Sequence, residues 1–281
     1  MTIMTTLKTA TATSHIVRTR LGNLYVSETG GGSETLVLWP SIFTDHHIYE
    51  NLVRELGQQY RFLLIDGPGH GGSEGPGAEF TMGECAGAMA DILDYFKLEN
   101  AIVGGTSWGG LTAAELALTM PERVRAVLLL NTPMEINGGS PGLSARFIAF
   151  GARWMLSTDM FRNGIAKSFF SKGVLDGNPA YSASFHEMLK AADAKALAAA
   201  VRSVILRGSP LKDRMDDLTA PTLVIAGKED EMYPVEAQIE AALRAPRGWI
   251  KTVGGKHISA IERPVEVADA VEDFLKKELA A

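Results

Sequence analysis

Short, uninterrupted apolar runs recur along the chain, and their spacing restricts its fold more than any other feature. The runs are TLVLWP from Thr35, RFLLID from Arg61, NAIVGGT from Asn100, VRAVLLLNTP from Val124 and PTLVIAG from Pro221. None alternates between apolar and polar residues, so each reads as a strand covered on both faces. Helical spacing of apolar positions fills the gaps, in HIYENLVREL from His47, from Met82 to Phe96, and through AAELALTM from Ala113. Strands alternating with helices predict a doubly wound, mostly parallel α/β sheet. SHIVRTR and LYVSETG, flanking Leu21–Gly22–Asn23, predict a hairpin ahead of that sheet. GWIKTVGG supplies a last strand, and Pro264 opens a last amphipathic helix, PVEVADAVEDFLKKEL.

The alternation breaks once. Between VRAVLLLNTP and PTLVIAG, roughly eighty residues hold no strand run, too many for a loop. LSARFIAFGARWML, DMFRNGIAKSFF, YSASFHEMLKAADA and AKALAAAVRSVIL have helical patterns instead, so a helical cap is expected at 137–215. The core then comprises 15–136 and 216–281, behind a disordered start at 1–14. Most of the cap's Phe147, Phe150, Trp154, Met155, Phe161, Phe169, Phe170, Phe185 and Met188 are expected to pack its helices, with a minority facing a cleft.

Composition narrows the function classes. The formal charge of −6 gives no support for nucleic-acid binding. The single cysteine, Cys85, rules out an internal disulfide and a thiol-rich metal site, and its helical context suggests a buried, inert thiol. No segment approaches the about 20 apolar residues that span a bilayer, and the Thr/Ala-rich start lacks a signal-peptide apolar core. The expectation is a cytoplasmic chain acting on a small molecule, with no membrane partner, cofactor or metal; homo-oligomerisation is left open.

The chemistry is concentrated in Gly105–Thr106–Ser107–Trp108–Gly109, between an apolar strand and a helix. A serine on so sharp a turn needs small neighbours, and the helix N-terminus behind it favours developing negative charge. With this motif, the turn DGPGHGGS (Asp66 to Ser73) and the helical insertion, the chain resembles the α/β-hydrolase superfamily over nearly its whole length. GTSWGG resembles that family's nucleophile elbow, which makes Ser107 the candidate nucleophile. His70, inside the glycine-rich turn, reads as a structural turn residue.

A serine needs a base, and the base needs a carboxylate to hold it. The resemblance implies His257 as the base, since it follows the last strand and GGKHISAIERP is similar to the family's H-x-x-x-x-E-x-P pattern. His15, His46, His47 and His186 lie elsewhere in the pattern. The family's G-x-x-D matches Gly227 to Asp230, which makes Asp230 the acid and leaves Glu229 and Glu231 solvated. Some relatives place the acid one strand earlier, where NTPME offers Glu135. The order Ser, Asp, His is that of this superfamily.

The resemblance further implies an oxyanion hole of two backbone N–H groups, one from Trp108. The other comes from the loop after the first core strand, where this chain departs from the family's usual His-Gly. Ser41–Ile42–Phe43–Thr44–Asp45 is similar to the S-L-G-T-D of 3-oxoadipate enol-lactonase-like members, which puts the second donor at Ile42, with Ser41 as the fallback. The Trp108 indole reads as pocket lining or structural wall. Dehalogenases and epoxide hydrolases carry an aspartate where this chain has Ser107, so ester or lactone hydrolysis is expected. A C–C bond hydrolase, or a ligand-binding receptor retaining the triad, is the alternative.

Overall fold

The computed structural model describes residues 12–135, 143–208 and 210–279. The apolar runs form β3 (Glu34–Trp39), β4 (Tyr60–Ile65), β5 (Ala101–Thr106), β6 (Val124–Leu130) and β7 (Thr222–Gly227), each almost wholly buried. They follow the hairpin strands β1 (Thr13–Thr19) and β2 (Gly22–Gly30), and β8 (Gly248–Val253) closes the sheet. The strand order is β1-β2-β4-β3-β5-β6-β7-β8. Only the β1–β2 and β2–β4 pairs are antiparallel. From β3 the chain first steps to β4 on one side, then crosses to β5 on the other. This reversal opens a crevice beyond the carboxyl ends of β3 and β5, the place where such sheets bind ligands.

Core helices are α1 (Glu50–Leu56), α2 (Met82–Tyr95) and α3 (Trp108–Thr119). The cap helices are α4 (Leu143–Trp154), α5 (Asp159–Phe169), α6 (Lys172–Gly177), α7 (Pro179–Ala191) and α8 (Ala194–Val201). After β7 come α9 (Val235–Arg244), α10 (Ser259–Glu262) and α11 (Pro264–Leu279). The start of α2 is held by a capping box between Thr81 and Glu84, which satisfies two otherwise orphan N–H groups.

Four expectations shift in detail. The hairpin turn is Arg20–Leu21, because Thr19 Oγ1 accepts the Leu21 N–H at 3.1 Å and donates to the Gly22 carbonyl at 2.8 Å. Gly22 and Asn23 therefore belong to β2. The first core helix starts as a 3-10 turn, His46–Tyr49, capped by Asp45. Thr13 and Ser14 lie in β1 rather than in a disordered start; residues 1–11 of that stretch lie outside the described ones.

The largest shift concerns α4. Its buried side is made of Ala145, Ala149 and Ala152, at helical spacing, so the alanines lie against the rest of the protein. Phe147, Phe150 and Trp154 point the other way and are 56%, 56% and 65% exposed. Phe161, Phe169, Phe170 and Phe185 do pack inside. Cys85 is fully buried, and burial pushes its thiol well above the ordinary range.

Candidate active site

Ser107 sits between β5 and α3 with φ +56° and ψ −109°, a conformation that costs free energy for any residue with a side chain. The neighbouring glycines make this turn buildable. A Cβ on Gly105 would lie 2.1 Å from the Trp39 carbonyl oxygen, and one on Gly109 only 1.7 Å from it. The elbow is thus packed backbone against backbone on the end of β3, where Trp39 pairs with Gly105. Tyr49 ties the two together: its hydroxyl donates to Trp39 O at 2.7 Å and accepts the Thr106 N–H at 2.8 Å. Burial raises the Tyr49 pKa, so the phenol stays protonated and keeps donating.

His257 follows β8 and is buried, with its Nδ1 2.8 Å from Asp230 Oδ2. Donation from Nδ1–H to the carboxylate leaves Nε2 as the basic nitrogen. Asp230 Oδ1 accepts the Met232 N–H at 3.0 Å, and Oδ2 also accepts from Asn131 Nδ2 at 3.3 Å. The other acids are engaged elsewhere. Glu229 accepts the Gly255 N–H at 3.2 Å, Glu231 is exposed beside Lys256, and Glu135 pairs with Lys212 at 3.0 Å.

Ser107 and His257 line one cavity of about 370 Å³ beneath the cap, with Ile42, Phe43, Phe169 and Tyr233 among its walls. No hydrogen bond joins Ser107 Oγ to His257 among the described residues, as is common before substrate tightens such a contact. Of the nine cap residues singled out above, Phe169 alone reaches this cavity. Its ring centroid lies 5.2 Å from that of His257, and Tyr233 flanks the imidazole at 5.3 Å. Burial pushes the Tyr233 phenol up to about 12. Among the described residues no Lys or Arg lines the cavity, and Glu135 at its edge is the one carboxylate.

The N–H groups of Ile42 and Trp108 have no acceptor among the described residues. The Phe43 N–H donates to His70 Nε2 at 3.1 Å. Ser41 is fully buried and does not border the cavity. The Trp108 indole is structural wall, stacked on Phe80 and edge-on to Trp39.

The remaining histidines lie apart from Ser107. His15 contacts Glu28, and His186 lies on α7. Asp45, His46 and His47 form the one group among the described residues with metal-ligand spacing. Both imidazoles already use Nδ1 on carboxylates, His46 on Asp66 at 2.8 Å and His47 on Asp45 at 2.9 Å. Their rings lie 4.0 Å apart, tilted by 31°.

Sequence reasoning missed Asn131 and Tyr49. Asn131 has φ +46°, a conformation that asparagine adopts more readily than most residues. Besides Asp230 it holds Lys256 O through Nδ2 at 3.2 Å and accepts from Ser259 Oγ at 2.6 Å. The one available signal was an asparagine ending an apolar strand run.

Comparison with known proteins bears on the family and the fold. The model of the family described as alpha/beta hydrolase fold matches residues 34–264. The chain is 24% identical over 246 residues to 3-oxoadipate enol-lactonase 2 of Acinetobacter baylyi, covering 86% of this chain and 88% of that one. It is 28% identical over 237 residues to a pimeloyl-[acyl-carrier protein] methyl ester esterase of Xanthomonas campestris pv. campestris, covering 81% and 89%. Among solved structures, the enol-lactonase from Burkholderia xenovorans LB400 superposes with a TM-score of 0.86 at 26% identity, over 93% of this chain and 100% of that one.

Proposed function

This chain belongs to the alpha/beta hydrolase fold family, and on that premise we propose that it cleaves a carboxylic ester or lactone through an acyl-enzyme on Ser107. One observation carries the reading. A strained serine and a carboxylate-held imidazole share one largely apolar cavity, beside two N–H groups that have no acceptor among the described residues.

The chemistry follows from that arrangement. Ser107 Oγ attacks the substrate carbonyl carbon while His257 Nε2 takes its proton, and Asp230 stabilises the imidazolium. The carbonyl oxygen becomes an alkoxide that the Ile42 and Trp108 N–H groups receive. Collapse expels the alcohol, or the ring oxygen of a lactone, which takes the proton from His257. Water, deprotonated by the same Nε2, then releases the acid and restores Ser107. A serine displacing halide would end as a stable ether, which is why haloalkanes are poor candidates.

The walls favour an uncharged, largely apolar small-molecule substrate, because no cation lines the described cavity to offset the desolvation of a carboxylate. The named relatives, an enol-lactonase and a methyl ester esterase, favour the same bond types. No described helix is long and apolar enough to cross a membrane. A cytoplasmic location is part of the reading and rests on composition.

The test is a series of acyl esters and matching lactones, assayed beside a haloalkane and an epoxide, with Ser107→Ala and a serine-directed fluorophosphonate. Ester or lactone turnover lost by orders of magnitude in Ser107→Ala, with labelling confined to Ser107, is the expected result. Full activity in that variant, or Ser107-dependent halide release, overturns it.

A further inference from the structure

His70 lies outside the Asp230–His257 pair, yet it is buried and both of its ring nitrogens are engaged. Its Nδ1 lies 3.1 Å from the Pro68 carbonyl and its Nε2 is 3.1 Å from the Phe43 nitrogen. A carbonyl can only accept and an N–H can only donate, so the imidazole is neutral, with its proton on Nδ1 and its lone pair toward Phe43. Burial lowers its pKa, in keeping with that state. The ring is also held by Trp108, at a centroid distance of 5.4 Å.

The acceptor has an unusual client. Phe43 adopts φ +63°, strained for a bulky residue, and it immediately follows Ile42. Such a conformation persists only where the surroundings over-determine it. Three groups do so here: Thr44 N–H on Ser41 O at 3.2 Å, Thr44 Oγ1 on the same oxygen at 2.8 Å, and His70 on the Phe43 N–H. With the Phe43 N–H held on His70, the neighbouring Ile42, on the same cavity as Ser107, keeps an N–H with no acceptor among the described residues.

We propose that His70 is a positioning residue that sets the oxyanion loop by accepting the Phe43 N–H. The inference rests on the hydrolase reading above and adds a residue to it, one that touches no reacting atom. A protonated His70 has no lone pair for Phe43, so acid is a second way, besides protonation of the base, to release the loop. The charged and titratable groups around it are Asp66 on its own turn, Asp45 on the oxyanion loop with His46 and His47 beyond it, and Asp193 at the start of α8.

Two amide substitutions separate its two bonds. His70→Gln carries an acceptor near the position of Nε2 and can hold Phe43, whereas His70→Asn is too short to do so but can still donate to Pro68. The readouts are kcat and KM on an activated ester, the inhibition constant of a trifluoromethyl ketone whose serine adduct bears the oxyanion, and thermal unfolding. We expect His70→Asn to lower kcat and weaken the ketone by about 10- to 100-fold, a part of what removing a whole oxyanion donor costs, with KM within about twofold. His70→Gln should stay within about threefold of wild type in both. Losses that follow thermal stability in both variants, or an unchanged ketone constant in a folded His70→Asn, overturn the positioning role while leaving Ser107 untouched. An active Ser107→Ala overturns the hydrolase reading, and this inference with it.

Discussion

Replacing Asn131 with alanine tests how the proposed acid and base are held, and its cost can be worked from the contacts. The substitution puts a Cβ-bearing residue without a polar side chain at φ +46°, which costs about 1–2 kcal/mol. It deletes the bonds to Ser259 Oγ at 2.6 Å and Lys256 O at 3.2 Å, each worth about 1 kcal/mol, and leaves a buried hydroxyl and a carbonyl looking for partners. The 3.3 Å contact to Asp230 is long and adds little. The sum is about 3–5 kcal/mol, which for a chain of this length lowers Tm by on the order of 10 °C. Turnover should fall by roughly tenfold only, since Asp230 keeps the Met232 N–H and His257. Asn131→Gly keeps the backbone conformation open and should recover about 1 kcal/mol of the loss. The assay is urea unfolding monitored by tryptophan fluorescence, with kcat measured on the same preparations. A loss below about 1 kcal/mol in Asn131→Ala would refute the view that this side chain ties β6 to the loops carrying Asp230 and His257.

Three further outcomes follow from the same geometry. Asp230→Asn should reduce kcat by about 10⁴-fold while Glu229→Gln, Glu231→Gln and Glu135→Gln stay near wild type, because an amide favours the wrong imidazole tautomer; a damaging Glu135→Gln would move the acid to the earlier strand. Phe43 walls both the Ser107 cavity of about 370 Å³ and a second of about 340 Å³ lined by His70 and Met188. Phe43→Ala should therefore extend the preferred acyl chain by several methylenes, each worth up to about 0.8 kcal/mol in kcat/KM, and an unchanged chain-length profile would show the two spaces to be unconnected. The hydrogen bond to Asp45 raises His47 to about 9, so its contribution to stability is complete below its unfolded value near 6.5 and is lost as pH rises through about 9. The His47 side chain is 58% exposed, so wild type should exceed His47→Ala by no more than about 0.5–1 kcal/mol at pH 6, and the two should converge by pH 10 in denaturant titrations.

The order of strands and helices was legible because each apolar run declares its own burial. Continuous runs such as VRAVLLL cannot sit at a wet edge, and the glycines around Ser107 declare a turn that no larger residue could make. The hairpin turn was misplaced by a residue or two because Thr19 Oγ1, not the Gly22–Asn23 pair, closes it. Asp230 and His257 were candidates through resemblance to the family's G-x-x-D and H-x-x-x-x-E-x-P patterns, and the fold brings them to 2.8 Å.

What the sequence determined by itself was therefore whatever depends on neighbours along the chain: the alternation of elements, the strand-turn-helix around Ser107, and the helical insertion. Tertiary structure decided what depends on neighbours across it. His70 reads as a turn residue until Phe43, 27 positions away, donates to it. Tyr49 gains its role from Thr106, 57 positions away, and Asn131 from Ser259, 128 positions away. Phe147, Phe150 and Trp154 are as apolar as Phe169, yet they face water because α4 buries its alanines instead. Local pattern reports which residues prefer burial, but a side chain's partner is set by the packing of whole elements, and that geometry belongs to no single segment.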